Sequence, residues 1–165
     1  MGERMLRDSL LTKDGTVLVV IDVQEKLYAK MEEKERIAEN ICKLIRFADI
    51  LEIPIVITEQ YPKGLGPTIP EIRELTSTIK PIEKVEFSCL ASSAFRERLA
   101  EIHAKNLVLT GIEAHICVAQ TAIEAVMSGY GAYVVYDAVS SRRREDKNVA
   151  IERMRQQGVL SLIHI

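Results

Sequence analysis

Residues 16–24 read TVLVVIDVQ. Five apolar residues stand side by side before the run ends in Asp22 and Gln24. A strand with one wet face alternates polar and apolar residues; a continuous valine-rich run belongs to a strand covered on both faces, as in a parallel sheet. IPIVIT (53–58) and NLVLTG (106–111) read the same way, and GAYVVYDA (131–138) and VLSLIHI (159–165) add two more strands. STIKPIEK (77–84) is a weaker strand because Pro81 has no N–H for a ladder. Helical patterns lie between these runs. Ile37, Ala38, Ile41, Leu44, Ile45, Ala48 and Leu51 form one apolar stripe. Ser92 or Ser93 can cap a helix carrying Phe95, Leu99 and Ile102. A helix over 116–128 is closed by Gly129, and another over 146–154 ends near Gly158. EQYPKGLGPTIP (59–70) reads as a long loop. The alternation predicts an α/β fold: a mainly parallel six-stranded sheet between two helix layers, in one domain spanning residues 1–165.

Composition narrows the function classes. Apolar residues make up 47% of the 165 and charged residues 28%, which suits a globular chain with a sizeable core. A formal net charge of −2 argues against nucleic-acid and anionic-membrane partners. The basic triplet Arg142-Arg143-Arg144 is followed at once by Glu145 and Asp146. The opening MGERMLRDSL has no signal-peptide apolar run, and no stretch reaches membrane-spanning length. Cys42, Cys89 and Cys117 show no C-x-x-C spacing, so neither zinc nor a disulfide framework is expected, and a reducing cytoplasm is.

In parallel sheets, sites form beyond the carboxyl ends of the strands. Asp22 ends the first strand, Lys84 the Pro-interrupted one, and Cys117 opens the helix after NLVLTG. A thiol at a helix N-terminus near a lysine is expected to have a lowered pKa. A carboxylate beside it can take and return its proton. The three suit acyl transfer through a thioester. Cys42 and Cys89 read as structural, His103 as surface and His164 as part of the last strand; His115 can line the site.

Taken together these segments resemble the isochorismatase-like cysteine hydrolases. VVIDVQEKL carries the family's D-x-Q at Asp22 and Gln24, IEKVEFSCL its lysine at Lys84, and GIEAHICVAQTAIEAVMSGY its nucleophile segment at Cys117. YDAVSSR matches the late strand and its exit, and TEQYPKGLGPT is similar to the isochorismatase domain-containing subgroup. The resemblance implies a three-layer α/β/α fold and an Asp22–Lys84–Cys117 triad. It also implies a cis peptide between Ile112 and Glu113, with the Glu113 and Cys117 N–H groups as an oxyanion hole. Gln24, Thr58, Tyr61 and Ile112 sit at strand ends or in the next loop and are expected to line a small-molecule pocket.

No cofactor is expected. Related nicotinamidases carry an Asp-x-His and a further His for a metal after the second strand, where TEQYPKGLGPTIP has no histidine. Relatives form homo-oligomers, and the same is expected here. Where relatives continue into a helix, this sequence stops at SLIHI, so that helix is expected to be missing. The expected reaction is metal-independent cleavage of a small amide-like (C–N) or related acyl substrate. The alternatives are vinyl-ether hydrolysis without a covalent cysteine, and a non-catalytic binding or scaffold role.

Overall fold

The computed structural model describes residues 10–163, which leaves the N-terminal signal-peptide reading and His164 outside the described residues. Six strands form one parallel sheet: β1 (Thr16–Ile21), β2 (Ile55–Gln60), β3 (Ile82–Lys84), β4 (Asn106–Ile112), β5 (Gly131–Ser140) and β6 (Leu160–Leu162). Their order across the sheet is β3-β2-β1-β4-β5-β6. The chain first builds outward from β1 to one edge, then crosses back to the far side of β1. The point of reversal lies between β1 and β4, where open α/β sheets place ligands.

The continuous apolar run of β1 is explained by its two neighbours in depth. Val17, Val19 and Ile21 face α5 (Ser93–Glu101), α6 (Ala119–Met127) and α7 (Arg144–Gln156), where Phe95, Leu99, Ala122 and Met154 complete the core. Leu18 and Val20 face α2 (Lys34–Ile50), whose Ile37, Ile41 and Ile45 are buried against them. Each such side chain contributes about 1.5–3 kcal/mol by leaving water. The three-layer α/β/α sandwich is thus a consequence of side chains that alternate between the two faces of β1 and meet apolar stripes on both sides.

Several boundaries differ from the sequence reading for local reasons. β3 has three residues, because Pro81 removes a ladder donor and pairing starts after it. β2 starts at Ile55, with Leu18 N–H donating to the carbonyl of Pro54 at 2.9 Å. It runs on through Glu59 and Gln60. The expected loop contains α3 (Pro62–Leu65) and leads into α4 (Pro70–Leu75). Each of these short helices has its proline at the first position, where a missing N–H costs nothing. A further short helix, α1 (Glu25–Tyr28), follows β1. Before α6 the chain makes a π-turn at Ala114–Val118, one residue wider than an α-turn, so the regular helix begins at Ala119. Gly129 ends α6 with φ +86, a left-handed closure suited to glycine.

Candidate active site

The ends of β1, β2, β3 and β4 converge on one cluster. Asp22 follows β1 with φ +51, an uncommon conformation for a residue with a side chain, and its N–H donates to the Thr58 carbonyl at 3.1 Å. β4 lies against β1 here, with Gly111 beside Ile21. A Cβ on Gly111 would sit 2.1 Å from the Ile21 carbonyl oxygen, at φ +115, so only glycine permits this approach.

β3 is two strands from β1, about 10 Å at the usual strand spacing. A long side chain is needed to bridge that gap, and Lys84 does so across the end of β2. Its Nζ donates to Asp22 Oδ2 at 2.6 Å, and both side chains are fully shielded from solvent. The same ammonium donates to the carbonyls of Glu86 (3.1 Å) and Phe87 (3.4 Å). Asp22 Oδ1 accepts from Thr58 Oγ1 at 2.7 Å. Burying two charges costs several kcal/mol per ion, roughly, and these added hydrogen bonds are what offset it. Burial works to lower the Lys84 pKa, but the Asp22 carboxylate and the thiols of Cys89 and Cys117 outweigh it, and the net shift is upward.

Cys117 sits in the π-turn, buried. Its thiol donates to Gln60 Oε1 at 3.0 Å, and the Asp22 charge acts on it from nearby. Burial, then the charge of Asp22, push the thiol well above its ordinary value, against the opposing pull of Lys84. The lowered pKa expected from the sequence is therefore not what the structure has. In the fold, desolvation exceeds the influence of helix terminus and lysine. The resting site holds a thiol with a base beside it.

The other expected site residues fall around this centre. Gln24 is fully buried, and its amide clamps main chain: Oε1 accepts from Gln60 N–H at 2.7 Å, while Nε2 donates to the carbonyls of Gln60 (3.0 Å) and Gly66 (2.7 Å). Thr58 is also fully buried and directs its hydroxyl to Asp22. Ile112 is buried, and the Ile112–Glu113 peptide is cis. Tyr61 is exposed and, with Lys84, Val85, Glu86 and Ser92, lines an open cleft of about 460 Å³. His115 is half-buried, with Nδ1 2.9 Å from Ser141 Oγ.

Gln60 was not singled out from the sequence, and neither the surroundings of Cys89 nor those of the Glu113 side chain were readable from it. Gln60 holds the thiol; its place two residues after Thr58, on the same strand, was the available signal. Cys89 lies behind the carboxylate, its Sγ 3.8 Å from Thr58 Oγ1, and burial pushes its thiol up to about 11. Glu113 is buried with Oε1 accepting from Arg142 Nε at 3.0 Å, while Oε2 makes no hydrogen bond and lies 3.9 Å from His115 Nδ1. Among the described residues no group of three His, Cys, Asp or Glu side chains could hold a metal ion. Among the same residues no helix is long and apolar enough to cross a membrane.

Comparison with known proteins agrees with the fold. Isochorismatase domain-containing protein 2 of Danio rerio is 38% identical over 149 residues, covering 90% of this chain and 75% of that protein. The solved structure of MAR1 ribonuclease from Caenorhabditis elegans superposes with a TM-score of 0.86 at 36% identity, covering 94% of this chain and 80% of that one. The Escherichia coli YcaC gene product, described as an octameric hydrolase of unknown specificity, shares the fold with a TM-score of 0.89 at 23% identity, over 94% and 78% of the two chains. The isochorismatase domain matches residues 16–162, and the chain belongs to that family.

Proposed function

We propose that this single-domain chain is a metal-independent cysteine hydrolase that cleaves a small amide-like (C–N) or related acyl substrate through a thioester on Cys117. The observation that carries the reading is the solvent-shielded Lys84–Asp22 pair at 2.6 Å, with the buried Cys117 thiol close enough to feel the charges of both and held by Gln60. A carboxylate so placed has a structural use as a counter-ion. A thiol within reach of its charge adds a chemical one.

The steps follow from that geometry. Substrate enters by the Tyr61 cleft and displaces the Gln60 amide from the thiol. Asp22 takes the thiol proton as sulfur attacks the carbonyl carbon. Coupling the two movements suits a thiol whose pKa is raised, because no free thiolate has to accumulate first. The Glu113 and Cys117 N–H groups receive the oxyanion, and the Lys84 ammonium stabilises the negative charge that builds up. Collapse breaks the C–N bond, and Asp22 returns the proton to the departing nitrogen. Water then attacks the thioester, gives its proton to Asp22, and releases the carboxylic acid; the proton passes back to sulfur. Thr58 and Gln24 hold the carboxylate and the β2 end in place. We place this activity in the reducing cytoplasm, on the strength of three cysteines that are all free, and in a homo-oligomer, as the octameric neighbour suggests.

Two other readings have specific support. Vinyl-ether hydrolysis needs Asp22 and Lys84 but no covalent cysteine, and the family name favours it. The ribonuclease neighbour favours RNA cleavage. The test is a panel of small amides, esters, vinyl ethers and single-stranded RNA, run with wild type and with Cys117→Ala. Our reading expects amide or ester turnover that Cys117→Ala abolishes. Turnover undiminished in Cys117→Ala would remove the nucleophile from the mechanism. A Cys117→Ala protein and a wild type both inert across the panel would leave a binding or scaffold role as the better account.

A further inference from the structure

Gln60 ends β2 with its main chain fixed on three sides. Its N–H donates to Gln24 Oε1 at 2.7 Å, its carbonyl accepts from Gln24 Nε2 at 3.0 Å, and in the sheet it stands opposite Lys84. Its side chain is held differently. The carboxamide bridges the nucleophile turn and the segment after β3: Oε1 accepts from the Cys117 thiol at 3.0 Å, and Nε2 donates to the Val85 carbonyl at 3.2 Å. Gln60 is half-buried, whereas Cys117 is only 4% exposed. An amide oxygen in contact with sulfur stands where a reagent has to approach it.

The two bonds that retain this side chain are both between uncharged groups. Each is worth little net, because water can replace it. Together they hold the amide over the thiol by an equilibrium of roughly 5–150 to one. Rotation about the side-chain bonds moves the amide between staggered wells while Gln24 keeps the end of β2 in place. Val85 is exposed and lines the open cleft together with Tyr61. Its own N–H donates to Glu86 Oε2 at 3.1 Å, so turning Gln60 aside releases the carbonyl alone.

We propose that Gln60 is a gate over Cys117 whose carboxamide swings out into the Tyr61 cleft, and that the Val85 carbonyl it releases is a specificity-determining contact, accepting an N–H of the bound substrate. The identity of the ligand rests on the hydrolase reading; the gate rests on the contacts of Gln60 alone. Any ligand that reaches sulfur has to displace the amide, and a ligand with an N–H replaces the bond that Val85 loses. A ligand without one leaves that carbonyl to water.

The test of the gate is alkylation of the full chain by iodoacetamide at one fixed pH, followed cysteine by cysteine by peptide mass spectrometry. Gln60→Ala removes the gate, and Gln60→Met keeps its length without either hydrogen bond. Cys117 is expected to react at least about fivefold faster in both than in wild type, the lower bound of the closed-to-open ratio. Cys42, on α2 in the opposite layer, is expected to keep its wild-type rate, whereas a loosened fold would speed both thiols. A wild-type Cys117 rate in both variants, or equal acceleration of Cys42 and Cys117, would overturn the gate. Shielding of Cys117 tests the Val85 contact. Benzamide offers an N–H, and a ring for Tyr61; acetophenone has a methyl group in place of the amide nitrogen. Benzamide is expected to shield wild-type Cys117 at a concentration lower by about threefold or more, the worth of one hydrogen bond. Equal shielding by the two, or none by benzamide, would overturn the assignment of the Val85 carbonyl. A wild type that turns over nothing, with Cys117 accelerated and shielded as described, would sink the hydrolase reading and leave the gate standing.

Discussion

Replacing Lys84 by methionine keeps the length of the side chain and removes its charge. Asp22 would then stand fully shielded from solvent with only Thr58 Oγ1 as a side-chain donor. Removing one partner of a buried pair costs about 3–5 kcal/mol, because the other charge is left uncompensated. With a urea slope of about 2 kcal/mol per molar, the midpoint should fall by roughly 1.5–2.5 M. Lys84→Met/Asp22→Asn should recover most of the loss at neutral pH, since an amide at position 22 can still bond Thr58. Urea unfolding of wild type, Lys84→Met and the double variant at neutral pH measures this. A single-variant loss under about 1 kcal/mol, or a double variant no better than Lys84→Met, would refute the view that the pair is a coupled buried unit.

Further outcomes are expected. The wild-type Lys84 pKa is raised above 10.5, so its contribution to stability is complete below that pH and is lost as pH climbs through the raised value; urea midpoints between pH 9 and pH 11.5 should fall in wild type and stay flatter in Lys84→Met. The raised Cys117 pKa predicts slow alkylation by iodoacetamide at pH 7, rising by about tenfold per pH unit without a plateau below pH 9. Asp22→Asn removes the charge that holds the proton on sulfur, so Cys117 should alkylate faster in that variant while hydrolysis is lost; equal rates would contradict the coupling of Asp22 to the thiol. Gly111→Ala sets a methyl group 2.1 Å from the Ile21 carbonyl at φ +115, and should destabilise the fold by roughly 2–4 kcal/mol in thermal melts.

Much of the architecture was readable because β1 is buried on both faces, and a two-sided strand leaves a continuous apolar run in the sequence. That Asp22, Lys84 and Cys117 come together was readable because each lies at or beyond the carboxyl end of a strand. Elsewhere local signals were ambiguous. Pro62 and Pro70 serve equally as loop residues and as first residues of helices, and only the contacts of Thr68 and Gln24 with β2 decide between them. The side-chain state of Cys117 was not readable at all. Helix terminus and lysine were visible in the sequence, whereas the depth of burial and the charge of Asp22 that outweigh them come from tertiary packing.

The central claim is that Cys117 carries the acyl group. Intact-protein and peptide mass spectrometry after brief acid quench, using an amide or activated ester found active in the panel, tests it most directly. The account predicts an acyl mass increment on the peptide holding Cys117 in wild type, with none in Cys117→Ala or Asp22→Asn. Sustained turnover without any trapped adduct, together with full activity in Cys117→Ala, would contradict it.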